Sequence, residues 1–119
     1  MKHVTTKATD RALQVRKLRA PLIKLTKALP GRVTIDQYSV LQVLNADPVN
    51  SQAALCRLTH IDRSTMGDIV KRLEERGYVD RKRDASDKRS YNIKLTKKGK
   101  DILQRCLKAE EKFLKANPF

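Results

Sequence analysis

At 119 residues the chain can build one modest core but not two, and with 39% hydrophobic and 34% charged residues it fits a soluble, helix-rich fold. Lysine and arginine outnumber aspartate and glutamate by 27 to 13, a formal charge of +14 spread along the chain rather than confined to a tail, which favours a polyanionic partner. Cys56 and Cys106 stand far apart and His3 and His60 are isolated, a spacing that argues against zinc and leaves no cofactor or metal expected.

Met1 to Asp10 is polar, without an apolar stretch of the signal-peptide kind, and no run approaches membrane-spanning length. Cytoplasm is therefore the expected location, with no membrane partner. From Arg11 to Leu29, Val15, Leu18, Leu22, Leu25 and Leu29 step by three and four, a coiled-coil-like seam longer than a small domain needs for itself. Pro21 interrupts the seam, so the helix either kinks there or restarts with Pro21 in its first turn. Pro30-Gly31 ends it.

Thr34-Ile35-Asp36-Gln37 fits a capping box, with Val33 and Tyr38 as the flanking hydrophobic staple, so a second helix begins at about Ile35. Its apolar residues Tyr38, Val40, Leu41 and Leu44 run to Asn45, and Ala46-Asp47-Pro48 breaks it. Asn50 or Ser51 caps a short third helix, Gln52 to about Leu58, with Ala54, Leu55 and Leu58 inward. Thr59-His60-Ile61 then turns the chain into Asp62, the natural N-cap of a fourth helix. In that helix Met66, Ile69, Val70 and Leu73 recur at i, i+3, i+4 and i+7, which leaves Ser64, Thr65, Asp68, Lys71, Arg72 and Glu75 on the opposite face. Gly77 is its natural stop. The third and fourth helices form a helix-turn-helix pair.

Beyond Gly77 the period becomes twofold. Tyr78 to Arg81 and Ser90 to Leu95 read as antiparallel strands, with Tyr91, Ile93 and Leu95 on one face and Asn92 and Lys94 on the other. Lys82 to Arg89 between them is too charged to bury and too long for a tight turn, and is expected to project as a wing. Thr96 caps a last helix whose stripe is Ile102, Leu103, Cys106, Leu107, Phe113 and Leu114, ending at Asn117-Pro118-Phe119.

The run Asp62-Arg63-Ser64-Thr65, the segment Leu73-Glu74-Glu75-Arg76-Gly77-Tyr78-Val79, the wing Arg83-Asp84-Ala85-Ser86-Asp87-Lys88-Arg89 and the close Leu95-Thr96-Lys97-Lys98-Gly99 together resemble the MarR family of winged helix-turn-helix transcription regulators. The likeness covers roughly residues 34 to 107. It implies a mostly helical fold with a two- or three-stranded wing, in one domain over 1–119: an N-terminal dimerisation helix at 11–29, the winged helix-turn-helix at 34–96 and a C-terminal dimerisation helix at 97–116. It also implies a homodimer whose terminal helices interlock, and a double-stranded, pseudo-palindromic DNA operator. Family members usually continue into a further C-terminal helix, which this chain lacks.

Ser64, Thr65, Asp68, Lys71 and Arg72 are the residues expected to meet DNA from the fourth helix; Asp68 suits it only by accepting from a cytosine amino group. Arg89, at the position of the family's wing arginine, is expected to enter a minor groove with Asp87 fixing its rotamer, while Arg83 and Lys88 hold phosphates. The resemblance further implies a site for a small aromatic anion between the dimerisation helices and the DNA lobe. Arg16, Arg19, Tyr38 and His60 are its candidates, against core packing for Tyr38, solvated charge for the arginines and a surface or capping role for His60. Both cysteines read as buried structural thiols. No phosphate loop, metal spacing or nucleophile set points to an enzyme. The reading is a sequence-specific regulator, most often a repressor. Three alternatives stand beside it: a constitutive or architectural DNA binder, a protein-interaction module and an RNA-binding protein.

Overall fold

The computed structural model describes residues 17, 20–46, 51–83 and 91–117. The first helix, α1, is described at Lys17 and over 20–28, a stretch that includes Pro21; how the chain passes through 18 and 19, and hence the kink or restart at Pro21, lies outside the described residues. A 3-10 turn at Pro30–Arg32 follows, in which Gly31 and Arg32 adopt φ of 67° and 56°. Four more helices and a hairpin complete the order: α2 Ile35–Ala46, α3 Gln52–Thr59, α4 Arg63–Glu75, β1 Val79–Arg83, β2 Tyr91–Leu95 and α5 Lys97–Ala116. None of the described helices is long and apolar enough to cross a membrane.

Short-range hydrogen bonds set the helix ends. The Thr34 amide donates to Gln37 Oε1 at 3.2 Å and the Gln37 amide donates back to Thr34 Oγ1 at 3.1 Å, the reciprocal pair of a capping box. Ser51 caps α3 by accepting from the Ala54 amide at 3.1 Å, and Thr96 caps α5 by accepting from Gly99 at 3.0 Å. At the end of α4, the Tyr78 amide donates to Leu73 O and the Gly77 amide to Glu74 O, both at 2.9 Å, with Gly77 left-handed at φ 75°. This paired closure satisfies two otherwise orphaned carbonyls and turns the chain into β1.

One core joins the elements: Leu25 and Leu29 of α1, Tyr38, Val40 and Leu41 of α2, Leu55 of α3, Met66, Ile69, Val70 and Leu73 of α4, Val79 and Ile93 of the hairpin, and Ile102, Leu103, Cys106 and Phe113 of α5. Ile61 packs against it from the turn between α3 and α4. α2 touches α3, α4 and α5, so it is the spine between the helix-turn-helix pair and the last helix. The two strands are antiparallel, pairing Val79 with Leu95 and Arg83 with Tyr91; β1 thus extends two residues past Arg81, where the sequence pattern alone ended it.

One expected core residue is exposed. Ala54 is buried, but Leu58, one turn along the same line of α3, is 42% exposed. His60 leaves α3 in the left-handed conformation, φ 60°, and in that last turn Cys56 packs against the core while Arg57 and Leu58 face outward. Leu22 at 52%, Ile23 at 46% and Leu114 at 39% are also exposed, so among the described residues each terminal helix leaves apolar side chains outside the core.

Close packing explains the glycine of the Leu95-Thr96-Lys97-Lys98-Gly99 motif. A Cβ on Gly99 would strike the Tyr78 carbonyl oxygen and lie 2.9 Å from the Tyr78 carbonyl carbon, because α5 begins against the backbone that leads into β1. Thr96 ties the same junction together: its amide donates to Tyr78 O at 3.1 Å and its hydroxyl to Gly77 O.

Candidate nucleic-acid interface

α4 divides as its period requires. Met66, Ile69, Val70 and Leu73 are buried, while Arg63, Ser64, Thr65, Asp68, Lys71, Arg72 and Glu75 are exposed. At its N-terminus the Asp62 carboxylate accepts from the Thr65 amide at 3.0 Å, and the Thr65 hydroxyl and then its amide hold that carboxyl below its ordinary range. Thr65 therefore lies on the exposed face with its hydroxyl turned to the cap. Ser64 and Arg63 sit beside it at the positive end of the helix dipole, which favours phosphate.

The hairpin is tied to the same helix. Arg81 on β1 reaches Glu74 of α4 at 3.4 Å, a bridge across two half-exposed groups that contributes at most about 1 kcal/mol but fixes the hairpin's root relative to α4. On the outer face Asp80 stands opposite Lys94 and Lys82 opposite Asn92. With Arg83 and Leu95 these residues line a groove of about 350 Å³. Arg83 is exposed at the end of β1. Lys88 and Arg89 lie outside the described residues.

A second clamp acts on the far end of α4. The Arg76 guanidinium donates to Gly31 O at 3.0 Å and to Arg32 O at 3.3 Å, bonding the helix's C-cap residue to the turn between α1 and α2. That turn is packed from the other side, since a Cβ on Gly31 would lie 3.0 Å from Ile102 Cδ1 of α5 and 3.5 Å from the Tyr78 hydroxyl. The end of α4, the first turn and α5 thus meet at one node.

The four residues considered for an aromatic anion do not share one setting. Tyr38 is 2% exposed, with its hydroxyl buried and without a hydrogen-bond partner among the described residues. Burial, and then the neighbouring Glu110 carboxylate, hold that hydroxyl above its ordinary range, so it stays protonated. His60 is an exposed residue whose amide caps α3 by donating to Cys56 O at 2.9 Å. Arg16 and Arg19 lie outside the described residues. Burial pushes the Cys106 thiol up, in keeping with an inert core cysteine, and Cys56 is half-buried.

Sequence reasoning missed Arg63, Arg76, Arg81 and Lys82. The outward phase of Arg63 and the pairing of Lys82 with Asn92 follow once the helix start and strand register are known. Arg76 and Arg81 carry no local signal, because their partners lie on other elements.

The match to known proteins follows this geometry. Residues 33–90 match the model of the MarR family. Among curated proteins, the chain is 33% identical over 86 residues to the transcriptional regulator HosA of Escherichia coli O157:H7, an alignment covering 69% of this chain and 64% of HosA. The chain spans 46% to 64% of the length of the first curated relatives it matches. Among solved structures, PcaV of Streptomyces coelicolor in complex with its natural ligand superposes with a TM-score of 0.80 at 30% identity, covering 98% of this chain and 85% of PcaV. The transcriptional repressor CouR bound to a 23-mer DNA duplex superposes with a TM-score of 0.80 at 27% identity, covering 99% of this chain and 89% of that one. CouR from Rhodococcus jostii RHA1 is also solved bound to p-coumaroyl-CoA. With its helix-turn-helix pair, two-stranded wing and flanking helices, the chain belongs to the MarR family of winged helix-turn-helix transcriptional regulators.

Proposed function

We propose that the chain is a homodimeric, sequence-specific DNA-binding repressor that meets its operator through α4 and the wing. The observation that carries this reading is the division of α4: a fully apolar buried face, and an opposite face of Arg63, Ser64, Thr65, Asp68, Lys71 and Arg72 left to solvent beside a hairpin anchored to the same helix. Ser64 and Asp68 contact base edges, Lys71, Arg72, Arg83 and Lys88 hold phosphates, and Arg89 enters the flanking minor groove. CouR bound to duplex DNA supports the same assignment.

Dimerisation through residues 11–29 and 97–116 is supported by the exposed Leu22, Ile23 and Leu114, which a second copy would cover. Two α4 helices then enter successive major grooves of a pseudo-palindrome about one helical turn apart. Release by a small aromatic anion is supported by PcaV and CouR, both solved with ligands. The 2% exposure of Tyr38 favours a second reading, a constitutive binder, because its ring is not offered to a ligand in this conformation.

Selection of bound duplexes from a random pool tests the proposal. Enrichment of one palindromic site, bound about 1,000-fold or more above random DNA, is expected. Arg89→Ala should lower that affinity by about 1–3 kcal/mol with helix content intact. Enrichment of no site would overturn sequence-specific binding. A panel of benzoates and phenols added to the selected complex then separates the switch, which releases DNA, from the constitutive binder, which does not.

A further inference from the structure

The positive charge, although no single tail holds it, is unevenly divided. Residues 34–96, which include α4 and the wing, carry eleven lysines and arginines against nine acids, a net of only +2. Residues 1–33 carry nine against one and residues 97–119 seven against three, so the flanking segments hold +8 and +4 of the total +14. The part of the chain assigned to DNA reading is nearly neutral, and most of the excess positive charge lies elsewhere.

On α5 they form an ordered surface. Its buried side is Gly99, Ile102, Leu103, Cys106 and Phe113, and the opposite side presents Arg105, Lys108, Lys112 and Lys115, all exposed and spaced by three or four residues. With Lys97 at its start the row spans roughly 27 Å at 1.5 Å per residue. Asp101, four residues from both Lys97 and Arg105, interrupts the row between them, Glu111 borders its far end, and Lys115 reaches Glu111 at 3.5 Å, so the unbroken stretch is Arg105 to Lys115. α5 packs on α2, the first turn and β2, whereas α4 packs on α3, α2 and β1. Only the start of α5 meets the end of α4, at the Gly31 and Tyr78 node, and Arg105 to Lys115 lie further along α5, away from the exposed N-terminal face of α4.

Resting on the DNA-binding reading above, we infer that the outer face of α5 is a second, sequence-blind surface for duplex DNA, which takes the phosphate backbone of a separate segment while α4 holds its operator. The chemistry of the row selects this occupant. A docked protein needs buried aromatic or aliphatic anchors in addition to charge, and a lipid surface holds a helix through apolar side chains that insert, but among the described residues the exposed large apolar group of α5, Leu114, lies about 140° around the helix from the centre of the row. Phosphate binding needs only cations in a row, and one strand of duplex offers a phosphate every 3.4 Å or so of axis. One dimer would then join two DNA segments.

The test loads the full-length protein onto an immobilised selected operator, washes it, and offers a fluorescent duplex that lacks the site. Wild type should capture the second duplex at 50 mM salt, and four phosphate contacts should weaken that capture about 150-fold by 200 mM. The variant Arg105→Gln, Lys108→Gln, Lys112→Gln, Lys115→Gln should lose capture about tenfold or more per molecule of protein loaded on the operator, with its helix content by circular dichroism and its dimeric mass in sedimentation as the controls for folding and assembly. Wild type that holds its operator but captures nothing would overturn the second surface and leave the repressor reading standing. Equal capture by the variant would overturn the assignment to α5. Preferential binding of polyglutamate over duplex at the same face would overturn DNA as its occupant. Failure to bind any operator would instead strike the repressor reading.

Discussion

Two helical glycines should respond to the same substitution with opposite sign. In Gly99→Ala the new methyl meets the Tyr78 carbonyl, 2.9 Å from its carbon, and Leu95 Cδ2 at 3.3 Å. The first obstacle is backbone and cannot swing aside, so the start of α5 must withdraw by roughly 1.5 Å to regain contacts near 3.5 Å. Overpacking of this kind costs about 1–3 kcal/mol. The withdrawal also strains the Thr96 bonds to Tyr78 O and Gly77 O, at about 1 kcal/mol each. Against this, alanine is the better helix former by about 1 kcal/mol. The net is a loss of about 2–4 kcal/mol, or roughly 10–15 °C in melting temperature for a domain of this size. In Gly67→Ala the methyl meets only Gln52 Nε2, at an ordinary 3.6 Å, so the propensity term stands alone. That variant should gain about 0.5–1 kcal/mol. Calorimetric melts of the two variants beside wild type decide the matter. A Gly99→Ala protein melting at or above wild type would refute the close approach of α5 to Tyr78, and a fall in Gly67→Ala would refute the open space beside Gly67.

Arg76→Ala removes the Nη1 that donates to both Gly31 O and Arg32 O and should cost about 1 kcal/mol, read as a melting drop of roughly 5 °C; an unchanged melt would show that the clamp contributes nothing in solution. The Asp62 carboxyl, held low by Thr65, gives the α4 cap a defined pH dependence. With its folded value below the unfolded one, the cap's contribution is complete above the ordinary carboxylate range and is lost as pH falls through the depressed folded value. A carboxyl NMR titration should place the Asp62 midpoint below that range, with the Thr65 amide shift following it, and a midpoint at the ordinary value would contradict the cap.

Features set within three or four residues are legible in the amino-acid sequence alone. The Thr34 and Gln37 pair, the Thr96 cap, the Asp62 cap and the Gly77 stop are local hydrogen-bond or dihedral requirements, and each stands where the sequence pattern put it. The apolar period of α4 belongs with them, since 3.6 residues per turn determines which face is buried once a helix forms. The tertiary structure decided what depends on which faces meet. Leu58 has the same chemistry as Leu55 and yet is exposed, because burial needs a neighbour and the chain turns away at His60. Arg76 finds its carbonyls some 45 positions away, a pairing that no local period encodes. Tyr38 could have offered its ring to a ligand or to the core, and α2's central place, between α5 and the helix-turn-helix pair, put it in the core. Gly99 shows the division most plainly: a glycine in the first turn of a helix is a local cost of about 1 kcal/mol, justified only by the backbone of Tyr78 lying where a side chain would be.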